Sequence, residues 1–118
     1  MTYSSRLEEH AKKIGRSTRI ALVGAGQMGR GFGNQLGHMV GISLSVVIDI
    51  EPERIKVVYA DLGITDIVFS DDKDVLSQAI LAGKHTGTSN WKIVSELPVD
   101  FVIEGTGIPD IEIGRAHV

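Results

Sequence analysis

Apolar residues in this chain follow two rhythms: short runs that stop at a glycine, a serine or an acidic residue, and longer stretches with an apolar position every three or four residues. Arg19-Ile20-Ala21-Leu22-Val23, Ser43–Ile48, Thr65–Phe69 and Asp100–Glu104 are of the first kind. Near-continuous hydrophobicity over so few residues is what parallel strands buried on both faces require. Helical patterns alternate with them. Leu7, Ala11 and Ile14 stand at i, i+4 and i+7 with charges between, which predicts an amphipathic N-terminal helix stopped by Gly15. A second helix is expected from Gln27 to about Val40, and a third from Pro52, with Ile55, Val58, Tyr59 and Leu62 as its buried stripe and Gly63 as its stop. Ser70 is expected to cap a fourth, with Asp71, Asp72 and Asp74 in its first turn and Val75, Leu76, Ala79 and Ile80 facing inward. Lys84 to Ser89 reads as a loop with a brief strand, Asn90 to Leu97 as a short helix closed by Pro98, and Ile108 to Val118 as the opening of another helix. Gly31, Gly33 and Gly37 each cost the second helix about 1 kcal/mol against alanine, which close packing would explain.

Strands alternating with helices call for an α/β fold with a parallel sheet and right-handed crossovers. About four strands are expected in the order 3-2-1-4, over residues 19–118, with residues 1–18 as a helical arm. This is a partial Rossmann-like sheet: its first mononucleotide-binding half and only the opening of the second. The chain is therefore expected to be part of a longer protein.

The chemistry concentrates in Gly24-Ala25-Gly26-Gln27-Met28-Gly29. G-x-G-x-x-G is a weak signal by itself, but here it follows a predicted strand, opens a predicted helix, and precedes by 20 residues an aspartate, Asp49, that ends the next strand. In that context Gly24 permits the tight turn, Gly26 lets backbone approach a pyrophosphate, and Gly29 lets helix and strand pack closely. The first-turn amides at Gln27, Met28 and Gly29 then face the phosphates with the helix dipole behind them. The alternative is a tight strand-to-helix turn with no ligand. Asp49 would accept the ribose hydroxyls and repel a 2′-phosphate, which favours NAD over NADP; otherwise it is a turn residue before Pro52. Ile50 is expected along the adenine, and Arg54, one helical turn further on, offers a partner for a 2′-phosphate. Gly105, Thr106 and Gly107 end the fourth predicted strand beside the topological switch point, where a cofactor contact competes with an ordinary strand-end turn.

Composition narrows the partners. The 118 residues carry a net charge of −3 with scattered basic positions, so no footprint for nucleic acid or an anionic membrane stands out. No stretch approaches the roughly 20 apolar residues of a membrane span. The chain has no cysteine, which removes disulfides and thiolate chemistry and agrees with a reducing cytoplasm. His10, His38, His85 and His117 share no metal-ligand spacing and are expected at surface or helix-edge positions, and the aspartates at 71, 72 and 74 suit a helix dipole better than a metal. Trp91 is expected to anchor a short helix on the sheet. Glu104, inside an apolar strand beside the switch point, suits a structural role better than a catalytic one.

Three segments taken together, Arg19 to Gly29, Val47-Ile48-Asp49 with Pro52-Glu53-Arg54, and Asp100 to Gly107, resemble the homoserine dehydrogenase-like oxidoreductases that carry a C-terminal SAF domain. The N-terminal stretch Ser5-Arg6-Leu7-Glu8-Glu9-His10 resembles that family's helical extension. The resemblance implies a domain that holds NAD, or NADP, for hydride transfer to a small substrate. It also implies catalytic and SAF domains beyond Val118, so that no catalytic residue lies in this chain and the chain alone does not catalyse. A homo-oligomer is compatible with it. The competing class is a regulatory NAD(H)-sensing module like those that gate potassium transport, which opens with the same strand, glycine turn and aspartate. A methyltransferase using the same turn is a weaker third.

Overall fold

The computed structural model describes residues 12–105 and 111–112. In chain order they form β1 (Thr18–Val23), α1 (Gln27–Gly37), β2 (Ile42–Ile48), α2 (Pro52–Ala60), β3 (Ile67–Phe69), α3 (Lys73–Leu81), β4 (His85–Thr88), a 3₁₀ helix (Trp91–Glu96), β5 (Phe101–Glu104) and β6 (Ile111–Glu112). The fold is α/β and Rossmann-like: β1 to β5 pair in parallel, and β6 runs antiparallel to β5 at the edge. The arm predicted over residues 1–18 lies mostly outside the described residues; residues 12–14 are helical and end at Gly15.

The sheet order is β3-β4-β2-β1-β5-β6, which corrects the expected 3-2-1-4. Within Lys84 to Ser89, expected as a loop with a brief strand, His85–Thr88 is a full member of the sheet, inserted between β2 and β3. Of the helix expected over Ile108 to Val118, only residues 111–112 are described, and these are corrected to a strand, pairing with Val102 and Ile103; the rest of that segment lies outside the described residues.

Helices cover both faces of the sheet. Ile20, Leu22, Leu44, Val47 and Ile103 pack with Leu36 of α1 and with Ile55, Val58 and Tyr59 of α2. On the other face Ala21, Val46, Ile48 and Val102 meet Leu76 and Ile80 of α3, and Leu97 and Val99 beyond the 3₁₀ helix. Strand side chains alternate between faces, yet Leu44 and Val47 share one face. The reason is a bulge: Ile20 pairs with Leu44 and Ala21 with Val46, so Ser45 has no partner on β1. The carbonyls at this irregularity are satisfied from β4 and α2. Thr86 Oγ1 donates to Ser45 O (2.7 Å), the Tyr59 hydroxyl reaches Thr86 O (2.8 Å) and Leu44 O (3.2 Å), and His85 Nδ1 lies 2.9 Å from Leu44 O. A carbonyl only accepts, so Nδ1 carries the proton in that bond. Tyr59 is fully buried, and burial raises its phenol pKa above the usual value. His85 is thus half-buried in a strand, contrary to the surface position expected of it, while His38 is exposed just beyond α1.

Two further expectations change. α3 is capped by Asp72, whose side chain accepts from Asp74 N and Val75 N; Ser70 Oγ accepts from Asp72 N one step earlier. Close packing accounts for Gly33, against Val58 and Leu22, and for Gly37, against Leu62, but Gly31 faces open space.

Candidate functional site

The carboxyl ends of β1, β2, β4 and β5 open into one cleft of about 470 Å³, lined by Val23, Gly24, Gly26, Ile48, Asp49, Ile50, Arg54, Ser89, Trp91 and Gly105. The expected turn forms its floor. Gly24 takes φ +90°, a conformation that side chains rarely adopt, and its N–H donates to Ile48 O (2.7 Å). Gly29 packs directly on Gly24: a Cβ at position 29 would run into the Gly24 carbonyl and come within 3.4 Å of Gly105 O. Gly105 closes the same contact from β5, donating its N–H to Val23 O (2.7 Å). The missing side chains at 29 and 105 therefore let strand, helix and neighbouring strand meet backbone to backbone. Gly26 has nothing within 4 Å of its Cβ position, so space lies open above it.

The start of α1 differs from the other described α-helices. Gly26 supplies no side-chain cap and the first turn holds no acidic residue, whereas α2 begins with Pro52 and Glu53, and α3 has the Asp72 cap with Asp74. Its donors and positive dipole end are thus left to an anion from outside the helix. This is the test that a dinucleotide's pyrophosphate must meet, and the residues fit it. Gln27 and Met28 stand in the first turn of α1.

Asp49 sits just past β2 with its side chain folded toward the turn. It is only 8% exposed; Oδ2 accepts from Ala25 N and Oδ1 from Glu51 N, each at 2.8 Å. These bonds fix the carboxylate at the cleft wall. A carboxylate offers about four lone-pair sites, so acceptor capacity remains for hydroxyl groups. Arg54 lines the cleft, but its Nε is paired with Glu51 Oε2 at 2.8 Å. Ile50 stands 78% exposed beside them.

The loop after β4 and the start of the 3₁₀ helix bring in two cleft residues that the sequence reading did not place there, Ser89 and Trp91. Trp91 is 60% exposed at the cleft wall, which corrects the expectation that it packs on the sheet. Asp71 holds this corner. Its carboxylate accepts from Thr88 Oγ1 (2.7 Å), Ser89 N (3.0 Å) and Ser89 Oγ (3.0 Å), and the Thr88 hydroxyl bond, followed by those of Ser89, lowers the Asp71 pKa from its usual value. Glu104, partly buried, ends β5 next to Gly105. Thr106 and Gly107 lie outside the described residues. Among the described residues no group of three or more His, Cys, Asp or Glu is placed to hold a metal ion, and no helix is long and apolar enough to cross a membrane.

Comparison with known proteins adds no relative: no protein-family model matches the chain, and no curated protein matches it.

Proposed function

We propose that this chain is the NAD(H)-holding domain of a cytoplasmic, homoserine dehydrogenase-like oxidoreductase. The observation that carries the reading is the uncapped start of α1 opening onto a cleft that the Asp49 carboxylate lines beside the glycine turn. The backbone amides of α1's first turn would hold the pyrophosphate. Asp49, already oriented by Ala25 N and Glu51 N, would accept the ribose hydroxyls. Its negative charge opposes a 2′-phosphate at the same place, and the cleft-lining cation Arg54 is already paired with Glu51, so NAD is favoured over NADP. Bound there, the dinucleotide supplies a hydride for transfer to a small substrate, while the chain's own work is to bind and orient it.

Titration with NADH and NADPH by calorimetry is the direct test. Saturable NADH binding is expected, weaker for NADPH. Gly26→Val supports the same reading from the other side. Its φ of −70° suits any residue and its Cβ would meet nothing within 4 Å, so the fold should survive, while the added side chain fills the space the phosphates need. Unchanged circular dichroism with binding lost is expected; a Gly26→Val protein that binds NADH as well as the parent would refute the pyrophosphate placement.

A further inference from the structure

The bonds that orient Asp49 also act in the other direction, on the turn. Its two carboxylate oxygens hold amides from two different loops, Ala25 N on Oδ2 and Glu51 N on Oδ1, each at 2.8 Å, and its own N–H donates to Thr88 O (3.1 Å). The side chain is buried, so it cannot turn away without leaving both amides short of an acceptor.

The N–H of Ala25 and the carbonyl of Gly24 belong to one peptide unit, and in a planar trans unit the two point in opposite directions. On the carbonyl side, Gly24 O lies against Gly29 and Gly105, where an added Cβ would run into it. The unit is therefore gripped at both ends, its oxygen against two glycines and its hydrogen on Asp49. Gly24 itself supplies no restraint: at φ +90° and without a Cβ, it is the residue most free to let the following peptide rotate. A half-turn of that peptide would send Gly24 O toward the Asp49 carboxylate, oxygen facing oxygen, and take the N–H of Ala25 off its acceptor. The charge on Asp49 selects one of the two orientations. Gly26, which precedes α1, follows directly on this unit, so the orientation sets how the helix start meets the cleft.

We propose that Asp49 is a positioning residue for the glycine turn, locking the Gly24–Ala25 peptide in the orientation that leaves the first amides of α1 open to a phosphate. That the locked turn serves a pyrophosphate rests on the dinucleotide reading above. One carboxylate then serves two parts of one ligand, the ribose by contact and the phosphates through the turn. A turn free to flip is competent only part of the time, and apparent affinity falls by that fraction.

A ligand without adenosine hydroxyls separates the two roles. The 2′,3′-dideoxyadenosine analogue of NADH keeps the base and the pyrophosphate but offers Asp49 nothing to accept. By calorimetry, at a temperature where circular dichroism shows both proteins folded, Asp49→Ala should bind this analogue about 5- to 30-fold more weakly than the parent does, the bias that a hydrogen bond to a charged group gives the peptide. Amide hydrogen exchange followed by NMR reads the lock without ligand. In the parent, Ala25 N–H should exchange at least about tenfold more slowly than in a free peptide; in Asp49→Ala that protection should be lost while Gly105 N–H, bonded to Val23 O, keeps its own. If the parent binds NADH and Asp49→Ala binds the analogue as tightly as the parent does, the lock is overturned and the dinucleotide site stands. Equal loss of protection at Gly105 would mark a general loosening and overturn the lock as well. If the parent binds none of NADH, NADPH and the analogue, the dinucleotide reading falls and this one with it. Should Asp49→Ala not fold, or the analogue bind the parent too weakly to measure, the parent's Ala25 amide decides alone, and exchange at the free-peptide rate overturns the lock.

Discussion

Two glycines in α1, two residues apart, should respond to the same substitution with opposite signs. Replacing either by alanine adds one methyl group and improves helix propensity by up to about 1 kcal/mol. At Gly31 the methyl would meet nothing within 4 Å, so Gly31→Ala should stabilise the protein by about 0.5–1 kcal/mol. At Gly29 the methyl would collide with the Gly24 carbonyl, lie 2.8 Å from Gly24 C and 3.4 Å from Gly105 O. Those atoms are backbone, held by the Gly24 N–H bond to Ile48 O and the Gly105 N–H bond to Val23 O, and cannot rotate away as a side chain would. Overpacking of this kind costs roughly 1–3 kcal/mol, and rigid neighbours place it at the upper end. Net of the propensity gain, Gly29→Ala should lose about 2 kcal/mol. The two variants should therefore differ by about 3 kcal/mol, a factor of roughly 150 in the folding equilibrium. Urea unfolding followed by far-ultraviolet circular dichroism, with a shared m-value, measures this directly. Should the two variants come within about 0.5 kcal/mol of each other, the backbone contact of turn, helix and β5 would not exist as described.

Asp49→Ala should act on both fold and ligand. Removing the acceptor of Ala25 N and Glu51 N should cost about 1–3 kcal/mol of stability by denaturant unfolding, and NADH should weaken more than NADPH in calorimetry; an equal loss for both removes Asp49 from the ribose. Tyr59→Phe takes a buried donor from Thr86 O and Leu44 O, for a loss of about 1 kcal/mol near neutral pH. Because burial raises the folded-state phenol pKa, Tyr59's contribution is fully present below the ordinary value of about 10 and is lost as pH rises above it, where the unfolded phenol ionises. Stability measured across that range should fall more steeply in the parent than in the Phe variant, and parallel curves would contradict the buried phenol.

The glycine turn, Asp49 and the strands around them were legible because each depends on local pattern: an apolar run, a glycine where φ is positive, an acid at a strand's end. β4 was legible only as a brief strand within a loop, without its place inside the sheet, because its four residues, His85-Thr86-Gly87-Thr88, carry no apolar side chain. It is buried nonetheless, since Thr86 satisfies the bulge at Ser45, Thr88 bonds Asp71, and Gly87 admits Ile55 and Phe69 where a larger residue would clash. A signal was available: α3 had to be followed by a strand if the alternation of parallel strand and helix was to continue. Trp91 was misplaced for a related reason. Sequence identifies a large aromatic and its helix, but which side of the short helix meets the sheet depends on Asp71 and Asn90 pinning the preceding loop. The bulge is equally invisible, because Ser43-Leu44-Ser45-Val46-Val47-Ile48 supports either parity until β1 fixes the register.

The contact of Gly105 with the glycine turn has a consequence in time. β1 finds its partner on β5 only after the whole α/β series between them exists; the bond from Arg19 N to the Asp100 carboxylate spans 81 residues. At a synthesis rate of about 5–20 residues per second, β1 and its turn wait roughly 4–16 seconds for the strand that roofs them. During that interval the motif is written but Val23 O still lacks the N–H of Gly105. The cleft is thus among the last parts of the described chain to be completed, and in a nascent chain the glycine turn gains its backbone contact with position 105 only once the far strand has docked.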